Sequence, residues 1–124
     1  MTLKKLFLLG LISSLSWSCK TASATPEVSR AEIKEMVTNP ETALVDVRVS
    51  KEFSENTAED AVNIPLASIK DHLEFFRKQK QVIVFCNTGR QSNEAIEILK
   101  KNGIANVYNG KSVKNIKAIQ NEKK

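Results

Sequence analysis

The sequence predicts a three-layer α/β domain with a central parallel sheet flanked by helices. Two short apolar runs, residues 43–47 and 82–85, have too few polar alternations for a half-exposed strand and suit a sheet covered on both faces. Segments of helical periodicity alternate with the strand-like segments along the chain, the order expected of a parallel sheet wrapped by its own crossovers. The 124 residues leave room for one such domain.

Residues 1–18 lie outside that domain. Lys4 and Lys5 precede an apolar stretch, residues 6–12, and then small residues, the order of a secretory signal peptide. The stretch is too short to span a bilayer comfortably, and it lacks the polar face of an amphipathic helix. Two processing sites fit. Cys19 suits the lipid-modified first residue of a bacterial lipoprotein, because the apolar run ends close to it. A cut after Ala24 suits the small-x-small pattern of Ala22-Ser23-Ala24. The expectation is export to a bacterial periplasm, or anchoring to the cell envelope through a lipid on Cys19. Residues 19–26 then form a polar linker containing Pro26.

The domain is expected over residues 27–120. Ser29 and Glu32 match a capping box and open a helix that packs through Ile33, Met36 and Val37. That helix stops before Asn39-Pro40, where proline disfavours helix at the residue ahead of it. A strand at 43–47 follows, then a helical turn at 49–55 and a brief strand at 61–65 ending in proline. Residues 67–78 carry a helical pattern with Ile69, Leu73 and Phe76 inward. After the strand at 82–85, residues 92–101 form a helix with Ala95, Ile96 and Leu99 on one face, closed by Asn102-Gly103. The last strand is expected at 104–108. Asn109-Gly110 then turns the chain into a final helix carrying Val113, Ile116 and Ile119, with residues 121–124 as a tail.

The formal charge of +5 overstates the domain. Removing residues 1–18 deletes Lys4 and Lys5 and leaves 17 basic against 14 acidic side chains, or +3. Much of the excess is Lys111, Lys114, Lys117, Lys123 and Lys124, which read as a solvated lysine-rich end. No aromatic–basic interleaving accompanies them, so nucleic acid is not an expected partner. The positive field suits a small anionic substrate. One histidine and one thiol beyond Cys19 cannot build a metal site, and no phosphate-binding loop is present. No cofactor or metal is expected.

The segment from Gln81 to Ser92 carries the chemistry. The apolar strand delivers Cys86 into a tight turn, Asn87-Thr88-Gly89-Arg90-Gln91, and a helix follows directly. A thiol between a strand's carboxyl end and a helix's amino end meets unpaired N–H groups and the helix dipole, both of which favour an anion. Such surroundings lower a thiol's pKa and make it a nucleophile. His72, the single histidine, falls on a helix away from the turn, so activation is expected from backbone N–H groups. Gly89 lets the backbone curl, and Ser92 reads as the cap of the helix and a donor to the loop.

Three blocks resemble the rhodanese domain. They are Leu44-Val45-Asp46-Val47-Arg48 with Glu52-Phe53 and Ala61-Val62-Asn63-Ile64-Pro65; Val84-Phe85-Cys86-Asn87-Thr88-Gly89-Arg90-Gln91-Ser92; and Gly103-Ile104-Ala105-Asn106-Val107-Tyr108-Asn109-Gly110. The resemblance covers roughly residues 27–120, and the form of the loop is similar to that of small exported members. It implies a thiosulfate sulfurtransferase, in which Cys86 takes the sulfane sulfur as a persulfide and passes it to cyanide or a thiol. Such two-stage covalent catalysis gives ping-pong kinetics. It also implies that Asn87, Thr88, Gly89, Arg90, Gln91 and Ser92 form the substrate loop, with Asp46 and Arg48 as a structural brace. Many members carry an arginine five residues after the cysteine. Here that place is Gln91 and the arginine comes one earlier, so the spacing admits an inward or an outward Arg90. The inward orientation, gripping oxyanion oxygens, is the expectation. Where the family has Gly-His-Ile and then Gly, this chain has Asn56-Thr57-Ala58 and Asp60, which alters the loop before Asn63.

Two rival classes share part of that pattern. A cysteine phosphatase needs five residues between its cysteine and arginine to encircle phosphate, and only three separate Cys86 from Arg90. A rhodanese module that carries sulfur to a partner without turnover shares the same cysteine and differs only in kinetics.

Overall fold

Residues 27–122 are described by the structure, a computed structural model. Helix α1 spans Arg30–Val37, with the expected reciprocal capping box between Ser29 and Glu32. Strand β1 (Thr42–Asp46) and helix α2 (Ser50–Glu55) follow. Strand β2 (Val62–Asn63) leads into a 3₁₀ segment, Leu66–His72, and helix α3 (Leu73–Arg77). Strand β3 (Gln81–Cys86), helix α4 (Arg90–Lys101), strand β4 (Val107–Ser112) and helix α5 (Val113–Glu122) complete the chain. The four strands form one parallel sheet in the order β2-β1-β3-β4.

Strand β3 explains why its sequence is apolar without alternation. Val82, Val84 and Cys86 belong to a core with Ile69, Phe76, Ala95, Ile96 and Leu99, which come from the 3₁₀ segment, α3 and α4. The alternate residues Ile83 and Phe85 join Ile33, Val113, Ile116 and Ile119, from α1 and α5, on the opposite face. Both faces of the strand are buried, and burial of each large apolar side chain is worth about 1.5–3 kcal/mol. An exposed ion-pair cluster, Arg30 and Lys34 of α1 with Glu122 of α5, bridges the two helices at 2.6 and 3.0 Å. It depends on the end of α5, which takes in two residues the sequence reading assigned to a tail.

Three local expectations are corrected. Residues 67–78 are not one α-helix, because His72 takes φ −121°, ψ 21° and separates a 3₁₀ turn from α3. Ile69 and Phe76 are buried all the same, since an apolar stripe from Ile69 to Phe76 does not distinguish the two helix types. The brief strand expected at 61–65 pairs only over Val62–Asn63.

Asn109-Gly110 does not turn the chain; it lies inside β4, which runs later than the expected 104–108. The turn chemistry acts all the same. Asn109 Oδ1 accepts the Lys111 N–H at 2.8 Å, a bond to its own backbone two residues on, and it bends the strand instead of reversing it. The result is an irregularity in the β3–β4 register between Val84 and Phe85, with Gly110 unmatched. A Cβ on Gly110 would meet Ile83 Cγ2 at 2.5 Å and Ile116 Cδ1 at 2.7 Å, so only glycine lets strand and helix approach there.

Candidate active site

Cys86 is the last residue of β3, and α4 begins four residues later. The turn between them depends on Gly89, whose φ of +96° is the left-handed conformation that a side chain resists. With that curl its N–H points back and donates to Cys86 Sγ at 3.0 Å. Ser92 Oγ lies 3.5 Å from the same sulfur, and the thiol can donate to the Lys111 carbonyl at 3.6 Å. The cysteine, Gly89 and Ser92 are buried, whereas Asn87, Thr88, Arg90 and Gln91 are exposed.

Burial pushes the Cys86 thiol up, but the donors outweigh it. The Ser92 hydroxyl, then the backbone N–H groups of Ser92, Thr88 and Gly89, favour the thiolate and leave the pKa below the ordinary thiol value. The helix amino end adds to the same effect. His72 has no part in this. It is exposed, and its Nδ1 bonds the Ser68 carbonyl at 2.8 Å.

Ser92 is not the helix cap that its position suggests; that residue is Gly89, which has no side chain to offer. Ser92 instead sits in the first turn, fully buried, with its hydroxyl 2.7 Å from Asn109 Oδ1 and 3.0 Å from the Gly89 carbonyl as well as facing the sulfur. A hydroxyl has one proton for these three acceptors. Asn109 Nδ2 also donates to the Gly89 carbonyl at 3.0 Å, so that oxygen keeps a partner when the Ser92 proton turns to the thiolate.

Asp46 and Arg48 form the brace. Arg48 Nε and Nη2 fork onto the Asp46 carboxylate at 3.0 and 2.8 Å, and both residues are buried. The free edge of the guanidinium holds the loop, with Nη1 donating to Asn87 Oδ1 at 3.3 Å. Glu52 accepts from Asn87 Nδ2 at 3.0 Å, which fixes the side chain next to Cys86 from its other end. The segment that departs from the family pattern serves this brace. Thr57 Oγ1 donates to Asp46 Oδ2 at 2.9 Å, and the Asn56 carbonyl accepts from Arg48. Asp60 holds a left-handed φ of 61° at the place where the family has glycine.

The expected inward Arg90 is corrected. Its side chain is 87% exposed and faces Glu94 across one helical turn at 3.8 Å. As the first residue of α4 it projects from the helix surface, away from the cysteine, so it does not close the loop as a phosphatase arginine would. Glu52 and Asn109 join the site with no catalytic signal of their own in the sequence. Glu52 lay within the matching signature, and Asn109 was read as part of a turn. Among the described residues no group of three His, Cys, Asp or Glu side chains is arranged to hold a metal ion. Cys19 lies outside the described residues.

The sequence model described as rhodanese-like domain matches residues 29–112. The chain is 38% identical over 74 residues to thiosulfate sulfurtransferase PspE of Escherichia coli (strain K12), covering 58% of this chain and 71% of that protein. It is 29% identical over 93 residues to the putative sulfur carrier protein YrkF of Bacillus subtilis (strain 168), covering 74% of this chain but only half of that protein. Among solved structures, a rhodanese with anions from E. coli superposes with a TM-score of 0.55 at 36% identity, over 60% of this chain and 89% of that one. The chain belongs to the rhodanese-like sulfurtransferase family.

Proposed function

We propose that the protein is a thiosulfate sulfurtransferase that moves sulfane sulfur through a Cys86 persulfide. The observation that carries this reading is the Gly89 N–H at 3.0 Å from Sγ, with the Ser92 hydroxyl beside it. These donors favour a thiolate without any base. The thiolate attacks the outer sulfur of thiosulfate, a new S–S bond forms, the old one breaks, and sulfite leaves with the bonding pair. Cyanide or a thiolate then attacks the terminal sulfur and takes it, which returns Cys86 as the thiolate. The loop donors that hold the thiolate suit the persulfide anion equally. Support comes from the relative named a thiosulfate sulfurtransferase and from the E. coli rhodanese described with anions.

A second reading is a carrier that accepts one sulfur and delivers it to a partner, favoured by the resemblance to the putative sulfur carrier. Mass spectrometry of the intact protein after thiosulfate treatment separates the outcomes. One sulfur gained on Cys86, with steady turnover to cyanide that vanishes in Cys86→Ser, supports the enzyme. One equivalent gained with no turnover supports the carrier, and no gain at all under non-reducing conditions rejects both. The same spectrum reads the new amino terminus. We place the protein in the cell envelope, on the signal-like residues 1–18 and on Cys19 as a lipid site, and a mature mass carrying acyl chains on Cys19 tests that placement.

A further inference from the structure

Lys111 and Asp60 are the two described non-glycine residues with left-handed backbones, at φ 70° and 61°. Aspartate visits that region readily because its short side chain bonds locally, but lysine has no such compensation. A side chain kept in a costly conformation next to a reactive group is a reason to ask what the side chain does there.

The surroundings answer in part. The Lys111 carbonyl faces Cys86 Sγ at 3.6 Å, which puts its Cα within about 6 Å of the sulfur by standard backbone dimensions. Its Cα and Cβ lie 3.4 and 3.5 Å from where a side chain on Gly89 would begin. The lysine stem therefore starts against the loop glycine whose N–H holds the sulfur. Its ammonium group is exposed and pairs with Glu27 at 2.9 Å. Two other cations near the loop are engaged with carboxylates, although the charge of Arg48 still reaches Cys86. Arg48 is buried and forked onto Asp46, and Arg90 projects into solvent beside Glu94.

We propose that Lys111 gathers the anionic sulfur donor at Cys86, and that the Glu27 carboxylate competes with that anion for its ammonium group. A thiolate and an anionic donor repel each other, and a compact cation on a flexible stem rooted at the cysteine loop lowers the cost of their meeting. The pair with Glu27 is solvent-exposed and hence weak, so an incoming dianion displaces it. The donor's identity rests on the sulfurtransferase reading; the preference for an anion does not.

The test compares alkylation of Cys86 in the full domain by iodoacetate, an anion, and by iodoacetamide, which is neutral. Taking the ratio of the two rates cancels any change in thiolate fraction. Lys111→Gln is expected to lower the ratio about fivefold at low salt, and Lys111→Arg to preserve it. Lys111→Gly, which removes the charge and relaxes the backbone, gives the same fall. Glu27→Gln raises the ratio, and Arg90→Gln leaves it unchanged. With thiosulfate, the Lys111→Gln variant shows a raised KM at unaltered kcat. An unchanged ratio in both Lys111→Gln and Lys111→Gly, or an equal fall in Arg90→Gln, overturns the proposal. If thiosulfate leaves no sulfur on Cys86 while the ratio still depends on Lys111, the donor assignment fails and the anion site stands.

Discussion

Around Cys86 the decisive quantity is the number of donors aimed at one buried sulfur. Gly89 supplies a backbone N–H that no substitution removes without unwinding the turn, whereas Ser92 supplies a hydroxyl that a substitution does remove. Ser92→Ala is expected to slow thiosulfate turnover at pH 7 roughly tenfold, the size of one hydrogen bond to a charged group. The pH profile carries the sign. Reactivity rises with pH as the thiol ionises, and the native thiol ionises below its ordinary value. Without Ser92 that rise moves to higher pH, and iodoacetamide alkylation across a pH series measures it. A profile that stays in place would mean the backbone N–H groups suffice. The cysteine and Gly89 were legible in the sequence because each is a local property of the loop. The direction of Arg90 was not. Inside or outside is set by which residue begins α4, and the helix starts two residues earlier than the apolar pattern shows.

Elements meet most tightly where β4 bends. Gly110 stands against Ile83 of β3 and Ile116 of α5 with no room for a methyl group. Gly110→Ala is expected to destabilise the domain by about 1–3 kcal/mol, the range for overpacking a filled core. A lower urea midpoint at unchanged slope checks it. An equal midpoint would show that the strand shifts to admit the methyl group. Here the sequence is informative and misleading together. Asn-Gly is a turn signal because asparagine bonds its own backbone, and that bond forms, yet the chain stays in the sheet. Pairing with β3 on one side and packing of α5 on the other override the local preference, and neither is visible from residues 109 and 110 alone. The 3₁₀ segment at Leu66–His72 is hidden in the sequence for a related reason. Its apolar spacing serves two helix types, and the non-helical backbone at His72 decides between them.

Across the molecule, one buried ion pair ties the stability of the sheet to the shape of the loop. Arg48 joins Asp46 at the end of β1, the Asn56 carbonyl beyond α2, and Asn87 beside Cys86. Arg48→Ala is expected to cost about 3–5 kcal/mol, because it leaves the Asp46 carboxylate buried without its counter-ion. Turnover should fall even in the fraction that remains folded, since Asn87 loses one of its two anchors. Unfolding curves and activity per folded molecule separate the two effects, and full activity in the folded fraction would make the pair purely structural. The sequence by itself determined the three-layer α/β class, the cysteine turn between strand and helix, and the Asp46–Arg48 pair. Each follows from periodicity or from a motif within a few residues, where local chemistry is sufficient. The tertiary structure alone decided that Asn109 and Glu52 support the loop, that Arg90 faces solvent, and that Lys111 lies against the thiol. Those contacts join β4, α2 and the cysteine turn across 17 to 35 residues of chain. Separations of that length are closed by packing of the two cores, which no local pattern encodes.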